Sequence, residues 1–300
     1  MNAHDIASAI AQQHAHMLAG EPQSHEQAQA SSDHGLTPEI AGVLQGCRML
    51  GFLEHDAQCV MKAWQQQSLR LGGFDVNAWP VQPADFGIAP WPRKNAFAPC
   101  PHALGLYAVL PDAHWVGRMA RAGVPTVQLR FKSDDAAAIA REVRAAVAAV
   151  QGTQALLFIN DHWKAAIEAG AYGVHLGQED MADAPLHTIH AAGLRLGLST
   201  HGYAEMLRAD AVSPSYIALG AVFPTTLKRM ATAPQGMGRL QAYARLMQQH
   251  PLVAIGGIDD ARLSAVLQTG VGSVAMVRAI TDAPEPEATA RRFMKIMQAT

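Results

Sequence analysis

The sequence predicts a closed barrel of eight parallel strands, each followed by a helix, behind a separate N-terminal segment. Between residues 104 and 300, eight short apolar runs alternate with stretches of helical periodicity. Alternating strands and helices are typical of a parallel sheet, and eight such units are the number that closes a (β/α)₈ barrel. Polar and charged residues gather where the runs end, at the face that builds the active site in this fold.

The eight predicted strands are short, apolar and bounded by polar residues or glycine. In chain order they are Gly105–Asp112, Val124–Phe131, Ala155–Asp161, Gly173–Glu179, Arg195–His201, Tyr216–Val222, Leu252–Ile258 and Ser273–Ile280. The stretches between them carry ordinary helix signals. The polar run Ser133–Asp135 can cap a helix N-terminus. Four glycines stand where helices should end before the next strand, namely Gly123, Gly170, Gly193 and Gly270.

Residues 1–72 are predicted to be a helical appendage that is partly disordered. A segment rich in Gln, His and Ser, from Gln12 to Gly35, is expected to form a loosely ordered polar connector. His14 and His16 within it have no evident partner, so we expect both to be solvated. The stretch Pro38–Arg70 has apolar residues at helical spacing and is predicted to be a pair of helices.

Residues 73–103 are rich in proline, which argues against a long helix. We interpret them as a linker strap whose Trp79 and Trp91 pack against the barrel, with an Ω-like linker as the alternative. Residues 104–300 form the predicted barrel.

Composition excludes several classes of function. The formal net charge of −2 offers no basic surface for nucleic acid or an anionic membrane. No apolar stretch approaches the ~18 residues of a membrane span, and the N-terminus lacks the pattern of a signal peptide. The three cysteines are widely spaced and are expected to be reduced. The expectation is a soluble cytoplasmic protein that binds neither nucleic acid nor membrane.

Cationic and amide side chains follow the second predicted strand. Gln128, Arg130 and Lys132 alternate along the chain, so a continuous strand would point all three to one side. Charged residues rarely line a barrel interior without a ligand or partner. The spacing therefore favours an anionic substrate, and the alternative is an internal ion pair with an acidic neighbour.

Two carboxylates follow neighbouring strands. Asp161 ends the third predicted run beside Asn160, and Asp180 follows the fourth. Adjacent strands lie about 4.8 Å apart, so the two carboxylates could share one Mg²⁺, which favours one or two carboxylates plus phosphate oxygens. Asp161 is equally suited to cap the helix that follows it. The neighbouring cationic residues favour the metal site.

The later strand ends carry hydroxyls, glycines and further cations. Ser199 and His201 share a face, but we expect no acid in the local sequence to complete a hydrolase triad with them. The stretch Pro224–Lys228 mixes hydroxyls with a cation. Gly256-Gly257 and Val277-Arg278 follow the last two strands, which is the usual phosphate site of this barrel, and glycine lets phosphate approach backbone amides.

Taken together, the motifs QLRFK, IND, HLGQED, LSTH, PTTLK, APQG, AIGGI and VAMVRAI closely resemble the thiamine-phosphate synthase family. The resemblance covers about residues 104–300. It implies an Mg²⁺-dependent transferase that joins hydroxymethylpyrimidine diphosphate to a thiazole phosphate carboxylate and releases pyrophosphate and carbon dioxide. Its partners would be these small molecules, and assembly into a homo-oligomer is left open.

The resemblance also implies roles for residues. Asp161 and Asp180 would bind Mg²⁺, and the charge needed for catalysis would come from Arg130, Lys132 and Lys228. The pyrimidine diphosphate would be bound by Gln128, Leu129, Arg130, Phe131, Lys132, Asn160, Ser199 and Lys228. The thiazole phosphate would be bound by Thr225, Thr226, Leu227, Gly257, Val277 and Arg278.

Two residues depart from the commoner family pattern. Leu227 stands where a second threonine is usual, and Arg278 stands where serine is frequent. A barrel that only isomerises the thiazole phosphate, as a thiazole tautomerase does, and a non-catalytic phosphate-binding scaffold are the alternatives. The stretch 46–70 is faintly similar to the last helices of phosphomethylpyrimidine kinases, but no kinase phosphate loop is present. The N-terminal segment is therefore interpreted as a remnant or docking element.

Overall fold

The computed structural model describes residues 1–19, 35–225 and 232–299, and it confirms the predicted barrel. Eight parallel strands close in sequence order, so that β1 pairs with both β2 and β8. The strands are β1 Gly105–Leu110, β2 Thr126–Leu129, β3 Leu156–Asn160, β4 Gly173–Leu176, β5 Arg195–Thr200, β6 Tyr216–Leu219, β7 Leu252–Ile255 and β8 Ser273–Met276. Every predicted run contains a strand, and each strand ends before its run does because the last residues of the run leave the sheet.

Helices surround the barrel and form the N-terminal part of the described chain. The N-terminal helices are α1 Ala3–Leu18, α2 Pro38–Met49 and α3 Glu54–Leu71, followed by a 3₁₀ turn at Pro83–Phe86. The remaining helices are α4 Ala113–Arg121, α5 Ala136–Ala149, α6 Trp163–Ala169, α7 Gln178–Asp183, α8 Leu186–Ala191, α9 Tyr203–Ala211, α10 Gly236–Leu246, α11 Asp260–Leu267, α12 Arg278–Thr281 and α13 Pro286–Ala299.

Two buried clusters follow from the alternation of side chains along the strands. Inward-facing residues such as Tyr107, Phe158 and Tyr216 fill the barrel interior. Outward-facing residues such as Val127 and Leu129 pack against the helices. None of the helices that the structure describes is both long and apolar enough to cross a membrane.

The first helix corrects one prediction about the N-terminal segment. Residues 12–18 belong to α1 rather than to a loose connector, and residues 20–34 of that connector lie outside the described residues. His14 is only 2% exposed, with Nε2 3.0 Å from the Val76 carbonyl oxygen and its ring against Trp64 and Trp79. The prediction that His14 is solvated is therefore wrong. Its partners are at least 50 residues away in the chain, so the sequence around His14 does not reveal them. His16 is exposed as expected.

The proline-rich strap lies against the barrel helices. Trp79 is buried, and its Nε1 donates a hydrogen bond of 3.1 Å to the Tyr203 hydroxyl on α9. Phe86 stacks on the Tyr203 ring at a centroid distance of 5.3 Å. Trp91 is more exposed and meets the His250 ring edge-on. The packing predicted for Trp79 is thus present, and its contact with the barrel is made at Tyr203 of α9.

The N-terminal segment is also fastened by two charged residues of the barrel helices. Arg239 on α10 is buried and donates hydrogen bonds to the carbonyl oxygens of Leu18 and Leu50. At the end of α9, Asp210 accepts 2.7 Å hydrogen bonds from Arg93 of the strap and from His250. Burial would raise the pKa of Asp210, but these hydrogen bonds hold it below its ordinary value.

Breaking the buried Asp210 cluster is expected to destabilise the protein. Asp210→Asn leaves Arg93 without its counter-charge, and removing one partner of a buried pair should lower the free energy of unfolding by on the order of 3 kcal/mol. Urea denaturation at pH 7 measures this loss. Because the folded pKa is depressed, the stabilisation is present above the ordinary carboxylate pKa and lost as the pH falls through the folded value.

A surface pair provides the matched control for that measurement. Asp260 lies 3.4 Å from Arg292, and both side chains are more than half exposed. Asp260→Asn should therefore cost less than about 1 kcal/mol. Equal losses for the two variants would show that the Asp210 cluster does not fasten the strap.

Candidate active site

One cavity of about 560 Å³ opens at the C-terminal ends of the strands. It lies where the predicted site residues should converge if the barrel carries its chemistry at this face. Ten of those residues line it, namely Gln128, Arg130, Asn160, Asp161, Asp180, Ser199, Thr225, Gly257, Val277 and Arg278. The structure therefore brings the carboxylate pair, the arginine that follows β2 and the glycine loop into one space.

Six predicted residues are not placed in the cavity by the structure. Thr226, Leu227 and Lys228 lie outside the described residues. Leu129 is fully buried and packs outward against the helices, because it alternates with the inward-facing Gln128. Phe131 also packs toward the helices.

Lys132 does not line the cavity, although its alternation with Gln128 and Arg130 predicted that all three side chains point to one side. Strand β2 ends at Leu129, so the spacing of two no longer decides the direction of side chains beyond it. Arg130 still lines the cavity, whereas the exposed Lys132 does not. The direction predicted for Lys132 was wrong because the prediction assumed that the strand continues through residue 131.

Gln128 is held in a fixed orientation in the wall of the cavity. Its Oε1 accepts a 2.9 Å hydrogen bond from the Tyr107 hydroxyl, and its Nε2 donates one of 2.8 Å to Asn160 Oδ1. An amide whose oxygen and nitrogen are both engaged cannot flip without losing both bonds. Gln128 and Asn160 therefore present defined donors and acceptors to a ligand.

The same chain of hydrogen bonds crosses the barrel to Ser199. The Tyr107 and Tyr216 hydroxyls lie 2.7 Å apart, and the Tyr216 hydroxyl lies 2.6 Å from His175 Nδ1. His175 Nε2 is 2.8 Å from Ser199 Oγ. Burial raises the pKa of both tyrosines well above the ordinary value, so both remain neutral.

Sequence reasoning missed three members of this network, namely Tyr107, Tyr216 and His175. The two tyrosines lie within apolar runs and resemble ordinary core residues. The direction of His175 could have been predicted from the sequence. Its neighbours Val174 and Leu176 are both apolar, and in the structure they face the helices. Alternation along β4 therefore directs His175 inward.

Asp161 and Asp180 face each other closely. Burial and the Asp180 carboxylate together raise the pKa of Asp161 to about 6. Asp161 has a left-handed backbone with φ of 62° and does not cap α6, whose N-cap position is His162. The capping alternative for Asp161 is thus not observed.

This donor set fits Mg²⁺. Two carboxylates held close together repel each other, and a divalent cation between them relieves that repulsion. Among the described residues, no cluster of three or more His, Cys, Asp or Glu side chains is positioned to hold a metal. Mg²⁺ does not need one, because it takes water and phosphate oxygens as its remaining ligands.

His201 has an acidic partner that the sequence analysis overlooked. Glu205 Oε2 lies 2.6 Å from His201 Nδ1 and also accepts a hydrogen bond from the His201 backbone amide. Ser199 is bonded to His175 rather than to His201. The residues therefore do not form a hydrolase triad, and His201 lines the cavity in an orientation set by Glu205.

Glycines and arginines form the opposite side of the cavity. Gly257 has φ of 63°, and a Cβ at this position would lie 2.7 Å from the Pro224 carbonyl oxygen. The loops after β6 and β7 can therefore approach each other only because residue 257 is glycine. Arg262, which sequence reasoning also missed, lines this side and donates a 2.6 Å hydrogen bond to the Gly257 carbonyl oxygen.

The part of the chain that is similar to known proteins is the barrel. Residues 106–280 match the family described as thiamine monophosphate synthase. The chain is 57% identical over 200 residues to the thiamine-phosphate synthase of Neisseria meningitidis serogroup B, covering 67% of this chain and 98% of that protein. It is 52% identical over 200 residues to the thiamine-phosphate synthase of Cronobacter sakazakii, covering 67% of this chain and 95% of that protein.

A solved structure agrees with these relatives. The thiamine phosphate pyrophosphorylase from Pyrococcus furiosus is 27% identical, with a TM-score of 0.59, over 65% of this chain and 96% of that chain. About a third of this chain has no counterpart in the two relatives compared, and the family match begins only at residue 106. The chain belongs to the thiamine monophosphate synthase family.

Proposed function

We propose that this chain is an Mg²⁺-dependent thiamine-phosphate synthase that joins hydroxymethylpyrimidine diphosphate to thiazole phosphate and releases pyrophosphate. The observation that carries the proposal is the convergence of two unlike ligand sets in one cavity. One set contains the carboxylate pair with Arg130, Gln128 and Asn160, and the other contains the glycine loop with Arg278. The names of the similar proteins support the same reaction.

The proposed bond changes need charge more than a strong base. The bond between the pyrimidine methylene carbon and the diphosphate oxygen breaks, and its electron pair leaves with the diphosphate. The lone pair of the thiazole nitrogen then forms the new carbon–nitrogen bond. Where the thiazole carries a carboxylate, its carbon–carbon bond to the ring breaks to release carbon dioxide, and the electron pair left on the ring carbon takes up a proton from water. Preorganised positive charge against the leaving group is the largest expected contribution to the rate.

The residues of this chain divide that work. Asp161 and Asp180 would hold Mg²⁺, which would supply positive charge beside the diphosphate. Arg130 would bind the leaving phosphate oxygens directly, and Lys132 and Lys228 are proposed to contribute further positive charge. Gln128, Asn160 and Ser199 would orient the pyrimidine, because the network beneath them fixes their polar atoms.

The opposite side of the cavity would bind the thiazole phosphate. Gly257 and the backbone at Val277 leave room for phosphate oxygens, and Thr225 adds a polar side chain at the same side. Thr226 and Leu227 are proposed to complete this side. The proposed partners are thus small phosphorylated molecules and Mg²⁺, and the proposed compartment is the cytoplasm.

Arg278 provides a specific prediction for the thiazole side. A guanidinium contact to phosphate is a charge-assisted hydrogen bond, whose loss costs roughly 1.5–3 kcal/mol. Arg278→Ala should therefore raise the KM for thiazole phosphate about tenfold or more and leave that for the pyrimidine diphosphate nearly unchanged. Steady-state kinetics with each substrate varied in turn measures the effect.

The exposed Arg291 on α13 supplies the control for that prediction, because it does not line the cavity. Arg291→Ala should leave both KM values unchanged. An unchanged thiazole KM in Arg278→Ala would instead assign the phosphate to Gly257 and backbone amides.

Omission of single substrates tests the proposed function against its alternatives. The chain is incubated with Mg²⁺ and both substrates, with either substrate alone, or with both substrates and no metal, and products are identified by mass spectrometry. A synthase forms thiamine phosphate only in the complete mixture. Isomerisation of the thiazole phosphate alone would indicate a tautomerase, and binding without any turnover would indicate a scaffold.

A further inference from the structure

Helix α9 has no N-terminal cap of its own. Its N-cap position is Gly202, which has no side chain to accept a hydrogen bond from the first turn. Asp56 of α3 supplies that bond, because its Oδ1 accepts a 2.8 Å hydrogen bond from the Ala204 backbone amide. Ala204 is the second residue of α9, whose amide a capping side chain ordinarily satisfies.

The fit between Asp56 and Gly202 is close. Asp56 is 4% exposed, and a Cβ at position 202 would overlap its Oδ2 atom. The carboxylate of the N-terminal segment therefore occupies the space that a local capping side chain would fill. Its negative charge also lies at the positive end of the helix dipole.

Further contacts from the N-terminal segment enclose the same turn. Trp79 donates to the Tyr203 hydroxyl, and Phe86 stacks on the Tyr203 ring with an interplanar angle of 9°. Three side chains of residues 56–86 thus hold the first two residues of α9. The N-terminal segment has no counterpart in the compared relatives. These contacts connect it to a helix of the barrel.

The turn that these residues hold also orients part of the cavity. Strand β5 ends at Thr200, and both Thr200 and His201 line the cavity. Glu205, in the same first turn, accepts hydrogen bonds from the backbone amide and the ring of His201. A shift of this turn would move Glu205 and release His201 from its position.

We propose that Asp56 is a positioning residue of the active site and that the N-terminal segment acts as an intramolecular clamp on the loop between β5 and α9. The barrel supplies the substrate ligands, and the segment supplies the cap that holds His201 at the cavity. This inference rests on the proposed function for its kinetic consequence. Its structural consequence, the order of residues 201–205, does not depend on turnover.

A double-mutant cycle tests the clamp. Asp56→Ala removes the cap and should raise the KM for the pyrimidine diphosphate about fivefold to tenfold, because the released His201 stands two residues after Ser199, which is proposed to orient the pyrimidine. The KM for thiazole phosphate should stay unchanged. Hydrogen–deuterium exchange of the amides at residues 201–205 should accelerate at the same time.

Gly202→Asp provides the rescue. Residue 202 has φ of 176°, an extended backbone that any residue adopts and that N-cap residues favour. In the native chain the new side chain collides with Asp56, so the single variant should be impaired. Combined with Asp56→Ala, it restores a cap from within the barrel and should return both the pyrimidine KM and the exchange rate toward native values.

Thr37→Ala is the matched control, because Thr37 is an exposed N-cap residue of another helix, α2. It should leave both KM values and the exchange of residues 201–205 unchanged. Native KM and native exchange in Asp56→Ala, or no recovery in the soluble double variant, would overturn the proposal. If Asp56→Ala alone does not fold, a soluble and active double variant supports the clamp and an insoluble one contradicts it.

The two proposals fail in different ways. A native chain that makes no thiamine phosphate would contradict the proposed function, while the exchange measurements would still test the cap. An active native chain with unaltered exchange in Asp56→Ala would contradict only the clamp.

Discussion

Replacing either Asp161 or Asp180 by alanine should abolish most turnover while the barrel stays folded. The two carboxylates follow β3 and β4 and face each other, Asp180 from the first turn of α7, and their proximity contributes to the raised pKa of Asp161. Either change removes half of the proposed Mg²⁺ site, so we expect kcat to fall on the order of 10²–10³-fold, as for loss of a preorganised electrostatic contact. Turnover across an Mg²⁺ titration measures the loss.

Asp183 offers a matched control on the same short helix as Asp180. It is exposed and does not line the cavity, so Asp183→Ala should retain native turnover and native Mg²⁺ dependence. Circular dichroism establishes that each variant is folded. Folded Asp161→Ala and Asp180→Ala variants with near-native rates and unchanged Mg²⁺ dependence would remove both residues from the metal site.

The second large effect is expected at Arg130. Its guanidinium lines the cavity one residue past the end of β2, and we propose that it neutralises the leaving diphosphate. Arg130→Gln keeps hydrogen-bonding capacity but removes the charge, so kcat/KM for the pyrimidine diphosphate should fall at least about 10²-fold. Steady-state kinetics at saturating thiazole phosphate measures this change.

Arg144 controls for a general effect of removing an arginine. It is exposed on α5 and lies outside the cavity, so Arg144→Gln should keep the native kcat/KM. An Arg130→Gln variant with native kcat/KM would assign the neutralising charge to other cations, among them Lys228.

The barrel and the carboxylate pair could be predicted because both follow from short-range patterns. Alternation of apolar runs with helical stretches determines a parallel sheet, and neighbouring parallel strands bring their ends together. That geometry alone was enough to predict that Asp161 and Asp180 lie side by side. The same argument placed Gly257 and Arg278 on adjacent loops.

Other features depend on partners that are distant in the chain. Asp56 and Ala204 are 148 residues apart, and Tyr107 and Tyr216 are 109 apart, so no local pattern joins them. His14 was misjudged for the same reason. Lys132 was misplaced because the last residues of β2 leave the sheet earlier than their apolar pattern indicates.

The central claim is that one cavity binds both substrates and joins them. Its most direct test is the amount of pyrophosphate and thiamine phosphate formed by the native chain with both substrates and Mg²⁺. We predict that the two products appear in equal amounts, that omission of Mg²⁺ stops both, and that Asp161→Ala lowers both together. Pyrophosphate released without thiamine phosphate, or no product from folded native protein, would contradict the claim.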